Sequence, residues 1–232
     1  MHRSKLHKAQ SALYDRNTRY EFAQAVELLK SMPHVKFDET VDLALKLGID
    51  PRKSDQNVRG AVALPYGTGK TVRVCVVADG AQAEDAKAAG ADIVGYDDIV
   101  AKIKDGWLDF DILIATGEAM KLVRPLGRQL GPRGLMPNPK TGTVTEQVGN
   151  AVKEAKAGRA EFRADRGACV HVPIGKLSFS TEALCGNYDV VIDALIKAKP
   201  ASAKGAYILS CTVSSTMSPG VKVVVKDTAR QK

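Results

Sequence analysis

No apolar run in this chain approaches the roughly 20 residues that a membrane-spanning helix needs. The opening Met1-His2-Arg3-Ser4-Lys5-Leu6-His7-Lys8 leads into no hydrophobic signal region. These absences predict a soluble protein that stays in the cytoplasm, with no membrane partner. Cysteine is sparse: Cys75, Cys169, Cys185 and Cys211 stand far apart, with no Cys-x-x-Cys and no closely spaced histidine. That spacing argues against a zinc cluster, and the apolar patterns around three of them predict buried, reduced thiols. Histidine is scarcer still in useful places, since His2, His7 and His34 lie in or near the polar N-terminal part and His171 sits in an alternating strand. No nucleophile, base and orienting group come together as a set. The acid pairs Asp97-Asp98 and Asp109/Asp111 flank the ends of elements, where first-turn acids favour the helix dipole. No metal, cofactor or enzymatic activity is expected.

One run invites a different reading. Gly67-Thr68-Gly69-Lys70-Thr71 resembles the end of a phosphate-binding loop, but Leu64 stands where that loop needs glycine, and a strand follows where a helix must open. Ala78-Asp79-Gly80-Ala81 likewise lacks the glycine-rich turn of a dinucleotide fold. A nucleotide-using enzyme on the central part of the chain is the rival reading, decided by whether that part binds nucleotides.

What the chain does have is positive charge. Its net charge is +8, which points to a polyanion, nucleic acid first. Residues 1–67 carry 11 Lys and Arg against 8 Asp and Glu, residues 68–159 carry 13 against 12, and residues 160–232 carry 10 against 6. The two ends thus hold +7 of the +8, and the middle is nearly neutral.

Periodicity divides the chain in the same way. From Phe37 to Ile49 the odd positions Phe37, Val41, Leu43, Leu45, Leu47 and Ile49 are apolar, the period of a strand with one face on a core. Tyr207 to Ser214 and Val221 to Lys226 alternate in the same way at the far end, so head and tail are expected to share a sheet. Residues 1–20 read as a basic, solvated arm or an arm on phosphates, Tyr20–Met32 as an amphipathic helix, and Val58–Leu64 as a partner strand. Between Thr71 and Gly158 short apolar strands alternate with helices, the grammar of a parallel α/β layer domain. Gly131–Gly142, dense in Gly and Pro, reads as an exposed loop. Strands at 161–163 and 169–174 and a helix at 181–199 follow. The expected class is α/β (α+β) in two domains: 1–67 plus 160–232 as a split β-α-β antiparallel-sheet domain, and 68–159 as an insert. Gly67, Gly69 and Gly158 at the crossings are the expected hinge.

The candidate recognition surface combines Lys36, Phe37 and Thr40 with Ser214, Ser215, Thr216, Met217 and Gly220, beside Arg163 and Arg166. Apolar side chains on which bases stack, with hydroxyls and cations for sugars and phosphates, suit irregular RNA. Its parity in the strand favours a core place for Phe37 over a contact.

Phe37-Asp38-Glu39-Thr40-Val41, Leu47-Gly48-Ile49-Asp50-Pro51, Asp55-Gln56-Asn57-Val58-Arg59-Gly60, the run from Leu130 to Gly142, and Ser215-Thr216-Met217 resemble the bacterial-type ribosomal protein L-one family of the large-subunit side stalk. The resemblance covers nearly the whole chain. It implies a discontinuous RNA-binding domain with an inserted Rossmann-like three-layer domain, monomeric when free. It implies binding to the large-subunit rRNA stalk, stalk movement that helps exit-site tRNA leave, and translational repression through the protein's own mRNA leader. It makes Lys36, Phe37, Thr40, Thr216 and Met217 rRNA contacts, and puts the loop bearing Arg133 and Lys140 on the tRNA side. One departure is Ser218, where the family usually has glycine, followed by Pro219. A side chain projecting there is expected to alter affinity without abolishing function.

Overall fold

The computed structural model describes residues 4–225. Arg3 of the expected arm and Lys226 of the expected last strand lie outside the described residues. In chain order the elements are α1 (Lys5–Ser11), α2 (Phe22–Ser31), β1 (Thr40–Leu47), β2 (Arg59–Ala63), β3 (Val74–Val77), α3 (Ala81–Ala88), β4 (Ile93–Gly95), α4 (Asp97–Lys104), β5 (Ile112–Ala115), α5 (Met120–Val123), α6 (Gly127–Leu130), α7 (Val148–Gly158), β6 (Arg159–Arg163), β7 (Cys169–Lys176), α8 (Thr181–Lys197), β8 (Ile208–Ser215) and β9 (Val221–Val223). Several sheets mixed with helices make an α+β fold. The chain falls into two compact units, a terminal one up to Gly69 and from Ala160 onward, and an inner one of Lys70–Arg159.

In the terminal unit β1 lies between β7 and β8, antiparallel to both, and β9 extends the sheet to the order β7-β1-β8-β9. Alternation along β1 sends Val41, Leu43, Leu45 and Leu47 to one face, where all four are buried. Leu43 pairs with Val172 and Val213, so one core layer draws on three distant stretches of sequence. Pro173 has no N–H to donate and is tolerated because β7 is an edge strand whose register shifts at that point. Gly48, the residue after β1, has no room for a side chain: a Cβ there would stand 2.2 Å from the Ala206 carbonyl oxygen.

Two helices cover the apolar face. α2 buries Phe22, Ala25, Val26 and Leu29 at helical spacing. α8 starts at Ser180, whose Oγ accepts from the Ala183 N–H (3.1 Å), and buries Leu184, Tyr188, Val191 and Leu195. Phe22 stacks on Tyr188 with ring centroids 4.0 Å apart. Asn187, fully buried in the middle of α8, accepts from the Tyr66 N–H (3.1 Å) and donates to the carbonyls of Gly67 (3.0 Å) and Ile174 (2.7 Å). It fixes the chain just before the unit ends.

The N-terminal segment departs from the expected arm. Ser4 caps α1 by accepting from the His7 N–H, Gln10 is buried and donates to the Pro33 carbonyl (2.9 Å), and Tyr20 pairs with β9 through Lys222 and Val224. A short cap and one long amide anchor it, whereas Leu13 is half-exposed. Tyr20 is extended, so the expected helix from Tyr20 begins at Phe22. The expected partner strand, β2, pairs with β6 in a separate two-stranded sheet, since both edges of β1 are already occupied.

The inner unit is built around a parallel sheet of order β4-β3-β5. Val74 and Val76 face α3 and α7, while Cys75 and Val77 face α4, α5 and α6. Both faces are covered, which is why β3 reads as a continuous apolar run and not as an alternation. Asp97 and Asp98 sit in the first turn of α4. Asp111 does not cap a helix; it accepts from the Arg73 N–H (3.1 Å) and from Lys70 (3.3 Å), so Lys70 is held by a carboxylate. The stretch Gly131–Gly142 is exposed only in part. Arg133 is open to solvent, but Leu135 and Met136 pack on the core, and Thr141, in a short 3-10 turn, is buried. Thr141 and Thr143 both bond the Asn138 carbonyl, giving the Gly- and Pro-rich run an internal hydrogen-bonded frame.

Candidate nucleic-acid interface

At one end of the terminal sheet two segments meet, residues 34–40 leading into β1 and residues 215–220 leaving β8. The second is a tight turn. The Ser218 N–H donates to the Ser215 carbonyl (3.2 Å), which leaves Thr216 and Met217 at the tip. Met217 is 51% exposed. Phe37 is 54% exposed and lies in the bend before β1, so the parity that made it a core residue does not apply: the strand begins three residues later, at Thr40. Lys36 is exposed beside it.

β1 and β8 pair up to Val41 opposite Ser215, and the next rung is made by a side chain. Thr216 Oγ1 accepts from the Thr40 N–H (3.0 Å) and donates to the Thr40 carbonyl (3.4 Å). Thr40 Oγ1 accepts from Lys176 Nζ (2.9 Å), which also reaches the Asp38 carbonyl (3.4 Å). The Asp38 carboxylate accepts from the N–H and hydroxyl of Ser178. Ser214 pairs with Asp42 and is half-buried. Gly220 is exposed, accepts from Tyr14 Oη (3.4 Å), and has no room for a Cβ, which would stand 2.7 Å from Thr212 Cγ2.

Beneath this surface lies Glu39, 1% exposed. One carboxylate oxygen, Oε2, accepts from Ser215 Oγ in a short bond and from the Met217 N–H (2.9 Å). The other, Oε1, accepts from the Val35 N–H (3.3 Å) and stands 3.4 Å from His34 Nδ1, an ion-pair distance and not a formed hydrogen bond. Burial pushes the carboxyl upward, but the Ser215, Met217 and Val35 donors with His34 outweigh it, and the group is held below the usual glutamate range.

Ser218 does not project as expected. Its Oγ accepts from the Ser215 N–H (2.8 Å) and donates to the Pro219 carbonyl (3.1 Å), closing the turn on itself. Its φ is not positive, so no glycine is needed there. Arg163 and Arg166 are exposed but not beside the Thr216–Met217 turn. Lys46 at the far end of β1 pairs with Cys169 and bonds the Gly167 carbonyl, so Arg166 lies near that end, six residues or ~20 Å along the strand from Thr40. Arg163 ends β6, next to Ala164, whose N–H bonds the Val58 carbonyl. In the inner unit Arg133 is exposed, and the side chain of Lys140 lies outside the described residues. Gly67, Gly69 and Gly158 adopt positive φ (68°, 70° and 106°).

Sequence reasoning missed Glu39, Lys176 and Asn187. For Glu39 there was a signal: among the odd positions from 37 to 49 it alone is polar, the one break in the alternation. A polar residue at a buried parity marks a group that must find partners inside.

A model of the ribosomal protein L1p/L10e family matches residues 28–219. The chain belongs to that family. It is therefore a large-subunit ribosomal protein that binds rRNA, in a family of structural RNA-binding proteins and not of enzymes. The matched span includes β1, the whole inner unit and the Ser215–Met217 turn, so it covers residues 34–40 and all but Gly220 of residues 215–220. Among the described residues no helix is long and apolar enough to cross a membrane, and no group of His, Cys, Asp and Glu is arranged to hold a metal ion.

Proposed function

We propose that the protein grips a folded stalk of the large-subunit rRNA with the end of the terminal sheet that carries Lys36, Phe37, Thr40, Thr216 and Met217. The observation that carries this reading is that two large apolar side chains, Phe37 and Met217, are both open to solvent on segments joined by Thr216 and Glu39. Exposed apolar groups on a rigid frame of hydroxyls and amides suit unstacked bases. Ser215 and Ser218 contribute by holding the turn, Ser214 by its place in the β1–β8 pairing beside it, and Gly220 by letting the chain pass close to β8.

Arg163 and Arg166 belong to a second contact, on a phosphate run displaced from the first. The neighbouring Lys46, Arg52, Lys53 and Lys204 are exposed cations that form no ion pair with a carboxylate among the described residues, which supports that reading. The inner unit carries the side facing exit-site tRNA through the loop bearing Arg133 and Lys140. Gly67, Gly69 and Gly158 act as the hinge on which it moves as deacylated tRNA leaves. Binding of the same face to a similar structure in the protein's own mRNA leader gives translational repression.

The direct test is binding of a stalk RNA fragment by Thr216→Val and Met217→Ala. Each is expected to lose on the order of 1 to 3 kcal/mol, and wild-type affinity in both would remove this face from the interface. For the wider role, large subunits carrying Arg133→Glu should release deacylated tRNA more slowly, and an mRNA-leader reporter should respond to Met217→Ala.

A further inference from the structure

The geometry points to Glu39 as the positioning residue of the RNA face: its buried carboxylate sets the Phe37 segment and the Thr216–Met217 turn against one another without touching RNA. This rests on the reading of that face as the rRNA contact. The two segments are about 176 positions apart in sequence, and nothing local holds Lys36 and Phe37 in register with Met217. Glu39 divides its two oxygens between them, Oε1 toward Val35 and His34, Oε2 toward Ser215 and Met217. Val35 adjoins Lys36, Ser215 adjoins Thr216, and Met217 is itself a residue of that face.

The chemistry needs a group that accepts on both sides. A carboxylate does, whereas the amide of glutamine puts an N–H2 against a donor on one side or the other. Aspartate, one methylene shorter, does not reach both segments. A negative charge beneath a surface that meets phosphates also opposes binding, so a carboxylate is a poor choice unless its geometry is needed. The two roles therefore predict opposite signs. If Glu39 acted only through its charge, Glu39→Gln would bind RNA more tightly. A positioning role makes the same substitution bind more weakly.

The experiment uses the full chain and a stalk fragment of large-subunit rRNA, at a temperature where thermal unfolding shows each variant fully folded. Glu39→Gln is expected to raise Kd about tenfold or more, because a buried donor is left unpaired and the turn relaxes. The log–log salt dependence is expected to stay at the wild-type slope, since no phosphate contact is removed. Ser215→Ala, which deletes one donor, is expected to weaken binding by a smaller factor and serves if Glu39→Gln does not fold. In combination with Met217→Ala, Glu39→Gln should add less than its separate effect, because it acts through that turn. Unchanged or tighter binding by Glu39→Gln, or full additivity with Met217→Ala, overturns the proposal. Met217→Ala alone separates the two readings: wild-type binding there removes the RNA face itself, while weakened binding with an unaffected Glu39→Gln removes only the positioning role.

Discussion

The two units bury polar side chains for different purposes. In the inner unit Thr116 bonds the Ala119 N–H, three residues on, and Thr141 and Thr143 bond the Asn138 carbonyl, three and five residues back. In the terminal unit Gln10 reaches Pro33, Asn187 reaches Tyr66, and Glu39 reaches Ser215, across 23, 121 and 176 positions. The inner unit is one continuous stretch whose strands and helices alternate, so sequence neighbours are largely spatial neighbours and turns need only local frames. The terminal unit is assembled from two ends of the chain. Apolar packing there is non-directional, and directional bonds at buried joints define how its segments align.

That contrast can be broken by substitution. Asn187→Leu should be the most damaging, because it strands the Tyr66 N–H and the Gly67 and Ile174 carbonyls together. We expect a loss of about 3 kcal/mol, read by urea unfolding. A loss below about 1 kcal/mol would mean that the long-range joint is dispensable.

Glu39→Gln should cost about 2 kcal/mol at neutral pH. The folded-state pKa of Glu39 lies below its ordinary value, so its contribution is complete above the unfolded pKa and lost as pH falls through the folded one. The stability gap between wild type and Glu39→Gln should therefore close as the pH is taken below the usual carboxylate range. A gap that stays constant with pH would show that the group's charge plays no part in folding.

Thr143→Val should cost the inner unit only about 1 kcal/mol, since Thr141 still frames the same turn. A cost equal to that of Asn187→Leu would erase the distinction between local and long-range joints. Smallest of all, Lys36→Ala should lower the magnitude of the salt slope of RNA binding by roughly 0.7 to 0.9 while leaving stability unchanged. An unaltered slope would place Lys36 away from phosphate.

Much of the fold was legible in the residues, for identifiable reasons. The alternation in β1 and from Cys211 onward specifies a half-buried face, and the covered faces of β3 and β5 specify continuous apolar runs; the alternation expected from Tyr207 fails at Leu209, which is exposed while Ile208 is buried, because the β1–β8 register shifts opposite Leu47. Pro33 and Pro200 mark where helices end. The interface was legible only as a group of residue types. Phe37 shares the parity of a core strand, and the local sign that the strand starts later, at Thr40, is no more than the polar Glu39 between Phe37 and Val41. Arg163 and Arg166 are close to β7 in sequence, yet β7 runs antiparallel to β1 and brings Arg166 to the opposite end from Met217. Ser218 turns inward because its hydroxyl finds the Ser215 N–H, a partner that exists only once the turn has formed.

The sequence by itself determined the periods, the breaks and the placing of charge at the two ends of the chain, because these depend on neighbours a few residues apart. Tertiary structure decided which polar residues are buried joints, which apolar ones stay in water and which cations stand near one another. In the terminal unit those outcomes depend on pairings across 23 to 176 positions, and the deciding energy comes from hydrogen bonds to groups that the local sequence does not contain.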